Sequence, residues 1–386
     1  MHGIKTNLLT TGARAIAPLS TAIIGIVVTA SATAGANTTA LDAAFPLDTP
    51  VLVTNIRTAL SDAAITNGGT LLPTLEAIAD QASPTLVIVR VATDTDPGDQ
   101  DDLVVGGVTA GSYTGLQALL AAEAQTGFRP RIIGAPGLDT QEVTTALAIV
   151  ARKLRGMAYA AALGADIAAA GTYRENFGDR ELRLFWPNTS STFAGDLIAR
   201  LLGARAALDE AQGWHKTLSN VTLAGVTGAE KDIFFDIQDE STDAGALNAN
   251  DIGTLVRANG FRVWGNTTCA GEDAPEYRFE SAVRTSQVLQ DEIAQGLLWA
   301  IDKPITGSLI KDIVETINAR FRSLIAANRL IGAKAWYDPA HNSGTDLAAG
   351  KLVIDYDFTP CAPLQSLELN QVITDRYYAT LSSALA

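Results

Sequence analysis

The stretch RPRIIGAPGLDTQEVTTALAIVARKLRGMAYAAAL, residues 129–163, changes its hydrophobic period twice. RIIGAPG is a short apolar run closed by a tight turn. DTQEVTTALAIVARKLRG places apolar residues at helical spacing and opens on Asp139 with Glu142 three residues later, the pattern of a reciprocal helix cap. MAYAAAL returns to strand. Strand, helix and strand joined by short turns make a parallel unit, because parallel neighbours need a crossover between them. The pattern extends both ways. TGLQALLAAEAQ (114–125) predicts a helix before it, and DIAAAGTYRENF (166–177) followed by RELRLFWP (180–187) predicts the next helix and strand. Upstream, STAIIGIVV (20–28), VLVTN (51–55) and LVIVRVAT (86–93) predict strands, with LLPTLEAIADQ (71–81) helical between the last two. The unbroken run at 86–93 is that of a strand covered on both faces. The fold class is therefore α/β with a parallel sheet.

At 386 residues the chain has room for two or three domains and a sizeable core. It is 47% hydrophobic but only 18% charged, which predicts that partners cover part of its surface. A net charge of −14 repels phosphate, and no basic stretch interleaved with aromatics occurs, so direct nucleic-acid binding is set aside. Two cysteines, Cys269 and Cys361, and three histidines form neither a disulfide framework nor a zinc pattern; reduced, buried or half-buried thiols are expected. Lys5, Arg14, the apolar run Ala22–Val28 and the small residues of ASATAGA imitate a signal peptide. Pro18 at its mouth and the β-branched Ile23, Ile24, Ile26, Val27 and Val28 favour a buried strand instead. The run is also too short to span a membrane, which takes about 20 residues.

Motifs of chemistry are missing. GAPGLDT lacks the Gly-Lys-Ser/Thr ending of a phosphate loop and the glycine spacing of a dinucleotide fingerprint, so its glycines are assigned to a tight turn. DTDPGDQDD, with five aspartates, lacks the third ligand and the twelfth-position Glu of a calcium loop and is read as a solvated loop. No nucleophile elbow, zinc-protease motif or Cys-His pair is present, and no catalytic, cofactor or metal residue is assigned. Sequons at Asn37, Asn188 and Asn266 carry little weight outside a secretory context.

An ordered series of segments changes the odds. AQGWHKTLSNV (211–221), GVTGAEKDIFFD (225–236), LNANDIGTLVRANGFRVWGNTT (247–268), RTSQVLQDEIAQGLLWAIDKPIT (284–306) and AGKLVIDYDFTP (349–360) resemble, in that order, the tail sheath protein of contractile-tailed bacteriophages and R-type pyocins. YTGLQALLAAEA and IIGAPGLDTQEV fit upstream, so the resemblance covers nearly the whole chain. Residues 188–195 look short for a segment that often carries a longer excursion, and no large outer insertion is present. The resemblance implies four regions: an N-terminal arm (1–19), an α/β region (20–260), a tube-facing α+β domain (261–358) and a C-terminal linker and arm (359–386). It implies stacked six-fold rings around a tail tube, contraction from a metastable extended state, and contacts with baseplate and tail terminator proteins. No enzyme activity, cofactor or membrane insertion goes with it. The place implied is the virion tail, after assembly in the host bacterial cytoplasm. The competing readings are an exported α/β solute-binding protein and a nucleotide-dependent enzyme.

The carboxyl end, LVIDYDFTPCAPLQSLELNQVITDRYY (352–378), shows a strand-like run to Phe358, Pro360 and Pro363, then a second run from Leu367 to Thr374. The prolines hold the linker extended. By the resemblance, the second run is a strand donated to a neighbour's C-terminal sheet, with Leu367, Leu369 and Val372 or Ile373 filling pockets; pairing within its own domain is the alternative. A second feature is segregated charge. Lys303 to Lys334 holds six basic and two acidic residues, a local +4 that leaves −18 for the rest. At 100° per residue Ile310, Ile313, Val314, Ile317, Phe321, Leu324 and Ile325 form one apolar stripe, and Lys311, Arg322 and Arg329 fall together about 120 to 140° from its centre. The resemblance makes that basic face the candidate contact with the tube. Trp264 and Trp299, in apolar contexts, are expected to pack in the core.

Overall fold

The computed structural model describes residues 15–271 and 274–378. Its strands, in chain order, are β1 (Ile24–Ala32), β2 (Val51–Val53), β3 (Thr66–Gly69), β4 (Leu86–Val91), the small hairpin of β5 (Val108–Thr109) and β6 (Ser112–Tyr113), β7 (Ile132–Gly134), β8 (Met157–Ala161), β9 (Leu182–Phe185), β10 (Ile252–Arg257), β11 (Phe261–Trp264), β12 (Leu330–Trp336) and β13 (Asp355–Pro360). The helices that accompany the first ten strands are α1 (Ala36–Ala44), α2 (Ile56–Ala63), α3 (Leu71–Ala79), α4 (Pro97–Val105), α5 (Ala118–Thr126), α6 (Gln141–Leu154), α7 (Ile167–Arg174), α8 (Asp196–Ala211) and α9 (Asp243–Ala249). Toward the carboxyl end follow α10 (Glu280–Gly296), α11 (Gly307–Ala326) and the short α12 (Gly344–Ala348).

One nine-stranded sheet runs in the order β11-β10-β9-β8-β7-β1-β4-β2, with β3 added to β1. The pairs from β4 through β1, β7, β8 and β9 to β10 are all parallel. Antiparallel β2 and β11 close the two edges. Successive side chains of a strand face opposite ways, so an unbroken apolar strand feeds two cores. Ile24, Ile26 and Val28 of β1 enter the core under α3 and α8, whereas Ile23 and Val27 enter the one under α5 and α6. β4 divides its residues in the same way, Leu86 and Ile88 against Val87, Val89 and Val91. The apolar run Ala22–Val28 is thus the approach to, and first half of, the sheet's central strand, and its side chains are built into both cores. No helix among the described residues is long and apolar enough to cross a membrane.

Three local expectations are corrected. The aspartate-rich stretch is the start of α4: Asp96 caps it by accepting from Gly98 N at 2.9 Å, and Pro97 occupies the first turn. Thr140, not Asp139, caps α6. Asp139 is buried and instead accepts from Ala161 N at the end of β8, 2.5 Å away. The division expected at 260/261 falls in the turn between β10 and β11, so the large sheet extends through Trp264.

The GAPG turn is a packing device. A Cβ on Gly137 (φ 75°) would stand 3.0 Å from the Phe193 ring, and 3.3 Å from Gly195 N. A third core joins α10 and α11 to the β12–β13 ribbon through Leu289, Ile313, Ile317, Phe321, Leu324 and Leu330.

Candidate functional site

Three features of the last hundred residues carry the candidate surfaces. The first is the β12–β13 ribbon, paired antiparallel from Leu330↔Pro360 to Trp336↔Asp355. Among the described residues it has no third strand; on the β12 side the Asn318 amide of α11 bonds both Ala335 N (2.8 Å) and Ala335 O (2.9 Å), and no strand covers the β13 edge. A two-stranded ribbon is marginal alone; α11 and the third core hold this one in place.

The second is the chain that leaves it. Cys361 Sγ lies 3.6 Å from Asn328 O, and Gln365 Nε2 donates to Asn266 Oδ1 at 2.8 Å. These residues wall a groove of about 510 Å³ that also takes in His215, Asn220 and Trp264. Beyond Gln365 every described residue is exposed. Leu367, Leu369, Val372 and Ile373 are 69%, 80%, 80% and 94% exposed. The strand expected at 367–374 is irregular here, and among the described residues no strand of this subunit pairs with it.

The third is α11. Thr306 caps it by accepting from Leu309 N at 3.2 Å, and its stripe of Leu309, Ile313, Ile317, Phe321 and Leu324 is buried. Lys311 and Arg322 are exposed on the other side, about 16 Å apart along the axis. Arg322 already pairs with exposed Glu315 at 2.5 Å. Arg329 does not join them. The helix stops at Ala326, Asn328 turns left-handed (φ 54°), and Arg329 is half-buried with its guanidinium 5.9 Å from the Trp214 ring centroid. The helical period holds only as far as Ala326, so Arg329 leaves the face it would otherwise share with Lys311 and Arg322. Trp264 and Trp299 are only half-buried: Trp264 meets Phe235 edge-on at 4.8 Å, and Lys303 covers Trp299 at 4.5 Å.

Sequence reasoning missed the character of α10. Every residue from Glu280 to Leu289 is buried, and so are Asp291 and Glu292, although most are polar. Each charge has partners on another element. Glu280 accepts from Arg183 Nη1 of β9 at 2.5 Å, lies 3.5 Å from Arg205 of α8, and accepts from the Tyr159 hydroxyl. Arg284 donates to Asp209 of α8; Asp291 gathers Arg131 and Arg155; Glu292 is gripped by Arg320 of α11 at 2.6 and 2.8 Å. Burial pushes Glu280 up, but Arg183, Arg205 and Arg284 outweigh it and hold the carboxyl at about 2. The signal was available: Arg131 and Arg183 sit in apolar strand runs, and a buried guanidinium there must have a buried anion.

The cysteines are free, with Cys269 buried and its thiol pushed up to about 12 by that burial. Asn188 and Asn266 are engaged in the fold: Asn188 Oδ1 accepts from Leu197 N at 3.0 Å, and Asn266 is buried. Asp338, His341 and Asp355 place one ligand atom each within 4.8 Å of one another, a grouping that sequence spacing did not reveal; there His341 Nδ1 and Asp355 Oδ2 are 2.9 Å apart and close the ribbon's connecting loop.

A two-stranded ribbon, a solvent-exposed apolar tail and a buried polar helix fall in the segments singled out by resemblance. Residues 111–269 match the phage tail sheath protein central domain, and residues 272–374 match the phage tail sheath C-terminal domain. The chain belongs to the phage tail sheath family. It is 46% identical to the tail sheath protein of Escherichia phage P2, over 100% of this chain and 98% of that one. To the major tail sheath protein of Serratia phage KSP20 it is 43% identical, again over 100% and 98%. Among solved structures, the sheath complex of an extracellular contractile injection system (PVC) in the contracted state superposes with a TM-score of 0.71 at 15% identity, covering 97% of this chain and 98% of that one. At that identity the likeness establishes the shared sheath fold.

Proposed function

We propose that the protein is the structural subunit of a contractile tail sheath. It polymerises as stacked hexameric rings around a tail tube and contracts from a metastable extended state, driving the tube through the target cell envelope. The observation that carries the reading is the tail beyond Gln365: large apolar side chains held in solvent after a ribbon that has no third strand among the described residues. Exchanging such tails between subunits satisfies both, since main-chain bonds give affinity and alternate side chains fill pockets. The arms are the chain before Ile16, which packs on α10, and after Pro360, which ends β13; Leu367, Leu369 and Val372 or Ile373 are the inserted side chains. Lys311 and Arg322 face the tube, and Arg329 serves the fold. Baseplate and tail terminator proteins cap the ends of the polymer. The subunit works in the virion tail, is assembled in the host cytoplasm, and carries out no turnover; its energy lies in the lattice.

The test is removal of residues 364–386. The core keeps all its own strands, so the shortened chain should stay folded and soluble with an unchanged far-UV spectrum, yet form no tubes under negative stain. Long sheaths assembled from the shortened chain would refute the arm.

A further inference from the structure

The first described residues run across α10. Leu19 lines a small cavity with Val288 and Asp291, and Ile16 is buried on Gly296, where a Cβ would stand 2.6 Å from Ile16 Cγ1. Moving back along the chain from Leu19 to Ile16 therefore leads toward the carboxyl end of α10, where the described chain begins at Ala15. Just past Gly296, on the turn into α11, Leu298 and Ile301 are 69% and 67% exposed. Asp302 is exposed beside them.

We propose that residues 1–14 dock, through Ile4, Leu8 and Leu9, on the Leu298–Ile301 turn of their own subunit before assembly, and that the N-terminal arm is parked there until a neighbour takes it. Reach permits it: Ile16 is seven positions after Leu9, an extended span of up to about 23 Å. A segment rooted beside its target acts at an effective concentration on the order of millimolar, which a free second copy in dilute solution does not match. Parking covers an apolar patch in the free subunit and withholds the arm from premature strand exchange.

The test compares the full chain with one lacking residues 1–14, both at a concentration where sedimentation shows a monomer, so its outcome does not depend on whether sheaths form. Hydrogen exchange at residues 298–302 should be about tenfold faster without the arm. In the full-length Leu298→Ser/Ile301→Ser variant, tryptic cleavage after Lys5 and Arg14 should accelerate by about the same factor, with the melting temperature unchanged. Equal exchange with and without the arm overturns the proposal. So does protection at 298–302 that rises with protein concentration, which assigns the turn to a second copy.

Discussion

Asp139 and Glu280 are both fully buried carboxyls, and their surroundings drive them in opposite directions. Glu280 lies among arginines and is held at about 2, so its contribution to stability is present above the ordinary carboxylate range and is lost as pH falls through about 2. Around Asp139 no cation offsets the loss of water; burial pushes it to about 6 from 3.8, against its hydrogen bond with Ala161 N. A raised carboxyl favours the folded state when protonated, so its contribution is complete below about 4 and is lost as pH rises through about 6. Asp139→Asn keeps an acceptor for Ala161 N and removes the charge. It should therefore stabilise the free subunit by about 2 to 3 kcal/mol at pH 8, with little effect near pH 4. Denaturant midpoints across that range check it, and parallel wild-type and variant curves would contradict the assignment.

The two long helices near the carboxyl end solve different problems. α11 is amphipathic, with one buried stripe and a solvated face. Its charge pair, Arg322 with Glu315, is exposed, and such pairs contribute only ~0 to 1 kcal/mol and are screened by salt. That would suit the tube contact proposed for this face, since many weak contacts in register add up yet separate easily. Lys311→Glu with Arg322→Glu should leave arm-mediated polymers and contracted sheaths intact while removing extended, tube-filled particles after co-assembly with the tube protein. Counting particles by electron microscopy decides it: a normal extended fraction returns this face to an ordinary solvated surface. α10, by contrast, is buried while polar, and its ion pairs replace the apolar seam expected between two domains.

Over the whole molecule those pairs fasten the C-terminal domain to the α/β region. On the proposed function, such a junction would let the described body of each subunit move as one unit when the sheath contracts. Glu280→Gln tests the coupling. It leaves Arg183 and Arg205 buried with one anion fewer, at a cost of about 3 to 5 kcal/mol. Calorimetry of the free wild-type subunit should show a single transition, and the variant should unfold at lower temperature with the C-terminal domain melting first. A variant that melts as the wild type does would show that apolar contacts such as that of Val283 with the core under α8 suffice without the ion pair of Glu280.

Period and turn chemistry were enough for the parallel sheet. β1, β4, β7, β8 and β9 could be located from their runs because a strand between two helical layers must be apolar on both faces. Charge segregation marked the exposed face of α11, and the prolines marked the extended tail. Only the tertiary structure decided which charges are buried together. Arg183 and Arg131 in apolar runs call for buried anions, but Glu280 and Asp291 are far from them in sequence, and nothing in a linear pattern states which helix supplies those anions. It likewise decided that α11 ends before Arg329, and that Asp139 bonds across to β8 instead of capping its own helix. Those outcomes depend on long-range contacts, where the free energy of pairing a buried charge exceeds that of any local preference.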